Sequence, residues 1–266
     1  MRKIKNLFKF IKDLLRLNES SVVIYQMGKV GSSSLEKSLK DHGLHVMHVH
    51  KLSPVNVYFY DLSIVDKFKK FRATIMFLLT KAVFKSRPCK IITIVRDPMD
   101  RNLSQMFHHI DMLVYSRSKF DTRREVPANK LFLEIFLNDI NLEYGQQWME
   151  KEFKETTGVD YKEVDFDTQA GLSTVRKGNK QIMFLRFEDL NHSEDAIGNF
   201  CDIQGFKIKR ENSANNKWYN SLYKDFKNNV KIDEETFSRM YDNDFYRKFY
   251  SDRPRKFEQW VEQNEK

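Results

Sequence analysis

Residues 22–39 read Val22-Val23-Ile24-Tyr25-Gln26-Met27-Gly28-Lys29-Val30-Gly31-Ser32-Ser33-Ser34-Leu35-Glu36-Lys37-Ser38-Leu39. The first residues of this stretch are apolar and β-branched, which predicts a short buried strand. Leu35 and Leu39 stand four positions apart with charged residues between them, which predicts an amphipathic helix. A strand, a Gly/Ser turn and a helix N-terminus together predict an anion site, because the free N–H groups of the first helical turn point at the ligand.

The order of residues in the turn narrows the kind of anion. We expect Ser32 to Ser34 to cap the helix and to donate hydroxyl hydrogen bonds to an oxyanion. Lys29 precedes Gly31, whereas the lysine of a Walker A loop follows its second glycine, so a nucleoside triphosphate is disfavoured. The dinucleotide pattern of three spaced glycines is absent as well. A serine-rich helix cap beside a solvated lysine remains an alternative.

Length, composition and charge set the class of protein. A chain of 266 residues with 41% hydrophobic residues can bury one sizeable core, so one globular domain is expected. The net charge of +9 indicates an anionic partner, and nucleic acid, anionic lipid, a phosphorylated cofactor or an acidic glycan would each fit. Cys89 and Cys201 form neither a metal-binding spacing nor a disulfide framework, which indicates a reducing compartment.

The first residues predict a separate element. Residues 1–20 have apolar side chains at helical spacing among lysines and arginines, and 21–266 form the predicted domain. The segment is too charged to span a bilayer. A basic amphipathic helix can lie on an anionic membrane surface, or it can pack on its own domain. We therefore expect a cytoplasmic protein. If the helix lies on a membrane, the protein is peripheral at the inner membrane face.

A second predicted strand carries two candidate bases. Over 44–50, strand alternation places Val46, His48 and His50 on one face. The carboxyl ends of parallel strands line the ligand crevice, so His50 is expected beside Lys29. An unperturbed imidazole titrates near neutrality, which suits a general base, and His50 is preferred to His48. A His-x-His metal site lacks a third ligand, and no metal is expected.

A third predicted strand, 90–95, leads into a second polar motif. Asp97 followed by Pro98 is typical of a helix start. Arg96 at the strand end and Ser104 in the helix can converge on one anion, because a guanidinium binds phosphate bidentately and serine adds a hydroxyl. An arginine that merely pairs with a neighbouring aspartate is the alternative.

Together the two motifs resemble those of the sulfotransferases. The lysine, glycine and serines of the turn resemble that family's 5′-phosphosulfate loop, and Arg96 with Ser104 eight positions later resembles its 3′-phosphate motif. The resemblance implies 3′-phosphoadenosine 5′-phosphosulfate (PAPS) as cofactor. It also implies a three-layer α/β, P-loop-like sulfotransferase fold, with helices around a mainly parallel sheet of four to five strands. The cofactor-binding residues it implies in the turn are Lys29, Val30, Gly31, Ser32, Ser33 and Ser34.

Two later segments extend the resemblance. Residues 181–190 resemble the strand end "Tyr-Glu-Asp-Leu" of sulfotransferases, with Phe187 in place of the tyrosine. Residues 215–220 read Asn-Asn-Lys-Trp-Tyr-Asn and resemble the signature of bacterial capsular polysaccharide synthesis proteins, which ends in serine where this chain has Asn220. The sulfotransferases close a basic loop over the nucleotide, which makes Lys217 and Trp218 cofactor-binding candidates. A packed aromatic turn with a solvated lysine is the alternative.

The resemblance implies transfer of a sulfuryl group from PAPS to a hydroxyl, on a capsular polysaccharide or another glycan. Lys29 would neutralise charge on the bridging oxygen, and His50 would take the acceptor proton. No nucleic-acid partner is expected. Two rivals remain: a nucleotide-dependent kinase with a degenerate P-loop, and a non-enzymatic basic protein that binds membranes or nucleic acid. The segment 106–178 is expected to add helices that shape the acceptor site, and 232–260 to form a helical cover.

Overall fold

One five-stranded sheet organises the molecule, which we describe from a computed structural model. The structure describes residues 10–52, 78–118, 128–209, 217–253 and 257–261. The strands are β1 (Val22–Tyr25), β2 (Val46–Val49), β3 (Cys89–Val95), β4 (Leu172–Lys177) and β5 (Lys180–Arg186). Their order is β2-β1-β3-β5-β4. Four strands run parallel, while β4 pairs antiparallel with β5. The sheet is therefore mixed, and β4 is a strand that the sequence did not predict.

Helices flank this sheet and fill the connections. They are α1 (Ser32–Asp41), α2 (Pro98–His108), α3 (Ile110–Ser118), α4 (Ala128–Asp139), α5 (Tyr144–Gln147), α6 (Lys154–Thr157), α7 (Glu194–Cys201), α8 (Asn220–Asn229), α9 (Glu234–Tyr241), α10 (Asp244–Tyr250) and α11 (Phe257–Trp260). A π-helical stretch, Trp148–Phe153, joins α5 to α6, and 3₁₀ turns occupy Tyr161–Glu163 and Phe187–Asp189. Residues 10–15 and 78–86 are helical too. The predicted helices of the middle segment and of the C-terminal cover are confirmed.

The core lies around β1 and β3. Every residue of both strands is buried, which explains why their sequences are mostly apolar without alternation, with Lys90 and Thr93 as the polar residues of β3. β4 is mostly half-buried or exposed and reads Leu-Ser-Thr-Val-Arg-Lys, so its hydrophobic signal is weak. The turn at Gly178 then reverses the chain into β5.

The beginnings of α1 and α2 are built differently. Gly31 occupies the N-cap of α1 with φ +70° and offers no side-chain cap. The prediction that Ser32 to Ser34 cap α1 is wrong, because the glycine turn ends one residue earlier and Ser32 is already helical. At α2 the predicted helix start is confirmed, since the Asp97 side chain accepts a hydrogen bond from the backbone N–H of Asp100 at 3.2 Å.

The described part of the N-terminal segment packs against the domain. Leu14 and Leu17 are each 2% exposed and belong to the core, and Phe10 lies against it. The first nine residues lie outside the described part of the chain, so contact of this segment with a membrane stays a prediction. Among the helices that are described, each is too short or too polar to cross a bilayer.

Candidate functional site

A cavity of about 1350 Å³ opens at the carboxyl ends of the parallel strands. Each of these four strands is followed within one residue by a side chain that lines it, namely Gln26, His50, Arg96 and Phe187. The chain leaves β1 for β2 on one side and later returns as β3 on the other. A switch of this kind separates the loops that follow neighbouring strands, and ligands bind in the resulting crevice.

The turn after β1 is shaped by left-handed backbone. Gly28, Lys29 and Gly31 have φ values of +85°, +63° and +70°. A Cβ on Gly31 would lie 2.2 Å from a ring atom of Phe187, so no other residue fits without displacing that ring. The Arg96 guanidinium lies 4.6 Å from the centre of the same ring and donates a hydrogen bond to the Lys29 carbonyl at 2.9 Å. The loops after β1, β3 and β5 thus brace one another.

Four cationic side chains converge on this turn. Burial, followed by the nearby charges of Lys217, Arg96 and Arg101 in that order, lowers the pKa of Lys29 to about 8. Within the described residues, no carboxylate forms an ion pair with Lys29. Concentrated positive charge without a counter-charge is unfavourable in a partly buried site, and a bound anion would relieve it.

Arg101 also lines the cavity, although no site role was predicted for it. It is 5% exposed, donates to the Asn102 side chain at 2.9 Å, and places its guanidinium 4.2 Å from the centre of the Tyr144 ring. Burial lowers its pKa to about 10. The buried Nε atoms of Arg101 and Arg96 have no hydrogen-bond partner in the described part of the chain. The spacing between Arg96 and Arg101 was visible in the sequence. The burial of Arg101 without a carboxylate to pair with was not.

The structure brings most predicted site residues together. The predicted site residues that line the cavity are Lys29, Gly31, Ser32, Ser33, Ser34, His50, Arg96, Ser104 and Lys217. Val30 is fully buried and Trp218 is 63% exposed, and neither lines the cavity. The Lys217 ammonium lies 5.5 Å from the centre of the Tyr219 ring. The binding roles of all these residues stay predictions.

The two candidate bases lie side by side. The rings of His48 and His50 are 4.9 Å apart, which confirms that they share a strand face. His50 Nδ1 lies 3.0 Å from the Gln26 carbonyl, and because a carbonyl only accepts, Nδ1 carries the proton. Its Nε2 is then an unprotonated base. Burial lowers the pKa of His50, which keeps the ring neutral near pH 7. Trp148 Nε1 donates to the His50 carbonyl at 2.8 Å and holds the residue in place.

Both nitrogens of His48 have partners. Nδ1 lies 2.6 Å from a Glu36 carboxylate oxygen, while Nε2 lies 2.9 Å from Gln26 Nε2 and 3.1 Å from Ser32 Oγ. No role was predicted for Gln26 or Glu36. The spacing of Ser32 and Glu36 was a usable signal, because residues four apart share one helix face.

Another wall of the cavity comes from the helical middle segment. Its lining residues include His108, His109, Met112, Asp139, Asn141 and Tyr144. This mixture of imidazole, amide, carboxylate and apolar groups differs from the cationic turn and can meet a neutral polar molecule. Among the residues that the structure describes, no three His, Cys, Asp or Glu side chains are grouped to hold a metal ion.

Comparison with known proteins gives one match. No curated protein and no solved structure matches the chain. Residues 119–251 match the NKWYS family, whose description is "Putative capsular polysaccharide synthesis protein". The matched segment contains β4, β5 and Lys217, whereas the turn at Lys29 and the strand end at Arg96 precede it. Because this match spans half of the 266 residues, the chain belongs to the NKWYS family.

Proposed function

We propose that this protein transfers a sulfuryl group from PAPS to a hydroxyl of a polysaccharide or another glycan. One observation carries the proposal: Lys29, Arg96, Arg101 and Lys217 face one cavity, and no carboxylate in the described chain pairs with Lys29. A donor with phosphate groups at both ends of its ribose supplies the missing negative charge. Membership of a polysaccharide synthesis family supports a glycan as the acceptor.

The two phosphate-binding motifs suit the two ends of this donor. The 5′-phosphosulfate would lie on the turn at Lys29 and on the N–H groups that begin α1, where the helix dipole favours an anion. The 3′-phosphate would lie between Arg96 and Ser104, which line the same cavity. Binding energy from this remote phosphate would hold the sulfuryl group in line with the acceptor.

The chemistry then needs one base and one site for the leaving charge. The acceptor oxygen attacks sulfur as the bond from sulfur to the 5′-phosphate oxygen breaks. His50 Nε2 takes the acceptor proton, and adenosine 3′,5′-bisphosphate leaves with the bond electrons. Lys29 and the first N–H groups of α1 stabilise the charge that develops on the departing phosphate oxygen. As in phosphoryl transfer, positioning and electrostatics would supply most of the rate.

A thermal-shift comparison of ligands tests this proposal. Adenosine 3′,5′-bisphosphate should stabilise the protein more than adenosine 5′-phosphate, since losing a charged hydrogen bond weakens binding by roughly ten- to a hundredfold. Arg96→Ala should abolish the difference, whereas Arg176→Ala, at an exposed arginine on β4 outside the cavity, should preserve it. Equal shifts for the two nucleotides would refute the 3′-phosphate site. A larger shift with ATP and magnesium would favour a kinase, and a larger shift with duplex DNA a nucleic-acid-binding protein.

A further inference from the structure

We infer that Glu36, His48 and Gln26 form a hydrogen-bond chain of fixed direction that turns the Ser32 hydroxyl proton toward an anion in the cavity. The inference deepens the proposed function, on which it rests for the identity of the anion. Glu36, His48 and Gln26 do not bind the anion themselves and are positioning residues. They act through Ser32, which lines the cavity and is 5% exposed.

The hydrogen-bond chain starts at the Glu36 carboxylate, which can only accept hydrogen bonds when it is ionised. The hydrogen bonds with His48 and Lys40 lower the pKa of Glu36 to about 2, although burial opposes the shift, so Glu36 is ionised at neutral pH. Its carboxylate lies 2.6 Å from His48 Nδ1 and also accepts from Lys40. His48 Nδ1 must therefore carry a proton. In the neutral ring, Nε2 is then an acceptor.

The orientation of the Gln26 amide follows from a second fixed group. The backbone N–H of Gly28 can only donate, so the Gln26 atom that lies 2.5 Å from it is the amide oxygen. The Gln26 NH₂ group then faces Ser32 Oγ at 2.8 Å and His48 Nε2 at 2.9 Å. Gln26 is 1% exposed, so its two N–H groups need these two acceptors.

The last step concerns the hydroxyl. Ser32 Oγ accepts from Gln26, and the His48 Nε2 lone pair, at 3.1 Å from Ser32, is already used by Gln26. The direction left for the Ser32 proton is the cavity. His50 Nδ1 also lies 3.2 Å from Gln26 Nε2, but it does not accept a hydrogen bond there, because it carries a proton that it donates to the Gln26 carbonyl. A sulfate or phosphate oxygen accepts such a proton in a charge-assisted hydrogen bond.

The Glu36→Leu variant distinguishes the effect of the hydrogen-bond chain on anion binding from the effect of charge alone. Removing a negative charge near an anion site should tighten anion binding by Coulomb's law alone. The hydrogen-bond chain predicts the opposite, because the His48 proton is then free to move to Nε2 and would oppose the Gln26 NH₂ group. Glu36→Gln should restore binding, since an amide oxygen still accepts from Nδ1. Asp41→Leu removes a carboxylate from the same helix that pairs with Lys209 and not with His48, and it should not weaken binding.

Calorimetric titration with inorganic sulfate and with adenosine 3′,5′-bisphosphate measures these effects. Ser32→Ala and Glu36→Leu should each weaken both ligands about tenfold, and the double variant should be no weaker than either single variant. Additive losses, or tighter sulfate binding by Glu36→Leu, would overturn the inference. So would an absence of anion binding by the native protein. Sulfate binding does not depend on the 3′-phosphate preference. Failure of the donor assignment can therefore be distinguished from failure of this inference.

A measurement on the native protein covers the case in which Glu36→Leu does not fold. A two-dimensional ¹H–¹⁵N spectrum of the histidine rings, taken near pH 7, reports which His48 nitrogen carries the proton. The inference requires the Nδ1–H form. Observation of the Nε2–H form, with a folded native protein, would refute it.

Discussion

At the scale of single residues, Lys29 combines backbone strain with charge repulsion. A non-glycine residue with φ near +63° is unfavourable, and its ammonium group lies among three other cations. Strain of this kind persists only where the surrounding structure imposes it, and it is concentrated at functional sites. We therefore expect a ligand anion to change the ionisation of Lys29 more than that of any exposed lysine.

Anion binding should weaken as the pH rises past about 8. The folded-state pKa of Lys29 is lowered to about 8, so the side chain loses its proton above that value. A bound anion favours the charged form and raises the pKa again, so binding takes up a proton in this range. Affinity for adenosine 3′,5′-bisphosphate, measured from pH 7 to pH 9.5, should fall about tenfold.

Lys29→Met provides the comparison for this pH profile. The variant should bind more weakly at pH 7 and lose the step near pH 8, whereas Lys177→Met, at an exposed lysine on β4, should keep it. A step of the same size in Lys29→Met would assign the titration to another group. In assays of sulfuryl transfer, Lys29→Met should lower turnover more than donor affinity, because its charge acts on the leaving phosphate.

At the scale of elements, the start of α2 holds a cluster of carboxylates. Asp97 caps the helix, its N–H donates to Glu188 at 2.9 Å, and its carboxylate accepts from the Tyr241 hydroxyl at 3.0 Å. Tyr250 donates to the same Glu188 at 2.9 Å. The α9 and α10 helices thereby cover the end of β3. Asp100 lies close by and pairs with Lys227.

Replacing the capping carboxylate with an amide should stabilise the protein at neutral pH. Burial, then the charge of Asp100, raises the pKa of Asp97 to about 6. The folded state holds this proton more tightly than the unfolded state, so the contribution of Asp97 to stability falls as the pH rises through about 4 to 6. Asp97→Asn keeps an acceptor oxygen for the cap. It should raise the free energy of unfolding by about 1–3 kcal/mol at pH 7.5 and by less at pH 5.

Urea denaturation at the two pH values measures this difference. Asp100→Asn is the comparison: it removes the charge that repels Asp97, but it also breaks the pair with Lys227, so it should not stabilise the protein. If Asp97→Asn proves destabilising at pH 7.5, its carboxylate must be needed in the charged form.

The sequence predicted the elements whose signals are local. The strand, glycine turn and helix around Lys29 and the Asp97-Pro98 helix start depend on neighbouring residues, and both are present. The strand β4 was missed because its half-exposed residues lack a strong pattern. The place of Arg101 at the cavity was missed because it depends on burial against Tyr144, and the hydrogen-bond partners of Gln26 depend on contacts between separate elements. Such contacts leave no periodic signal in a single chain.

At the scale of the whole molecule, one buried arginine connects the sheet to the C-terminal helices. Arg186 ends β5 and is 1% exposed. It donates to Asp189 at 2.5 Å, to Asp252 at 2.6 Å and to the Phe249 carbonyl at 3.1 Å. A fourth hydrogen bond reaches the Thr168 carbonyl. One side chain thus joins β5, the end of α10 and the loop before β4.

Arg186→Met should lower the free energy of unfolding by about 3–5 kcal/mol, because it leaves two carboxylates without their buried partner. Chemical denaturation monitored by tryptophan fluorescence measures the loss. Arg253→Met removes a half-exposed partner of the same Asp189 and should cost about 1 kcal/mol or less. Similar losses in both variants would mean that the burial of Arg186 does not increase its contribution to the free energy of unfolding.

The contact between Phe187 and Gly31 has a consequence for the order in which the protein is made. The turn at Gly31 emerges from the ribosome well before the Phe187 ring that contacts it, because that ring follows β5. Pairing of β1, β3 and β5 across such sequence separations is slow relative to local helix formation. A nascent chain that stops after α2 should therefore have both phosphate motifs in its sequence and still be unable to retain a nucleotide.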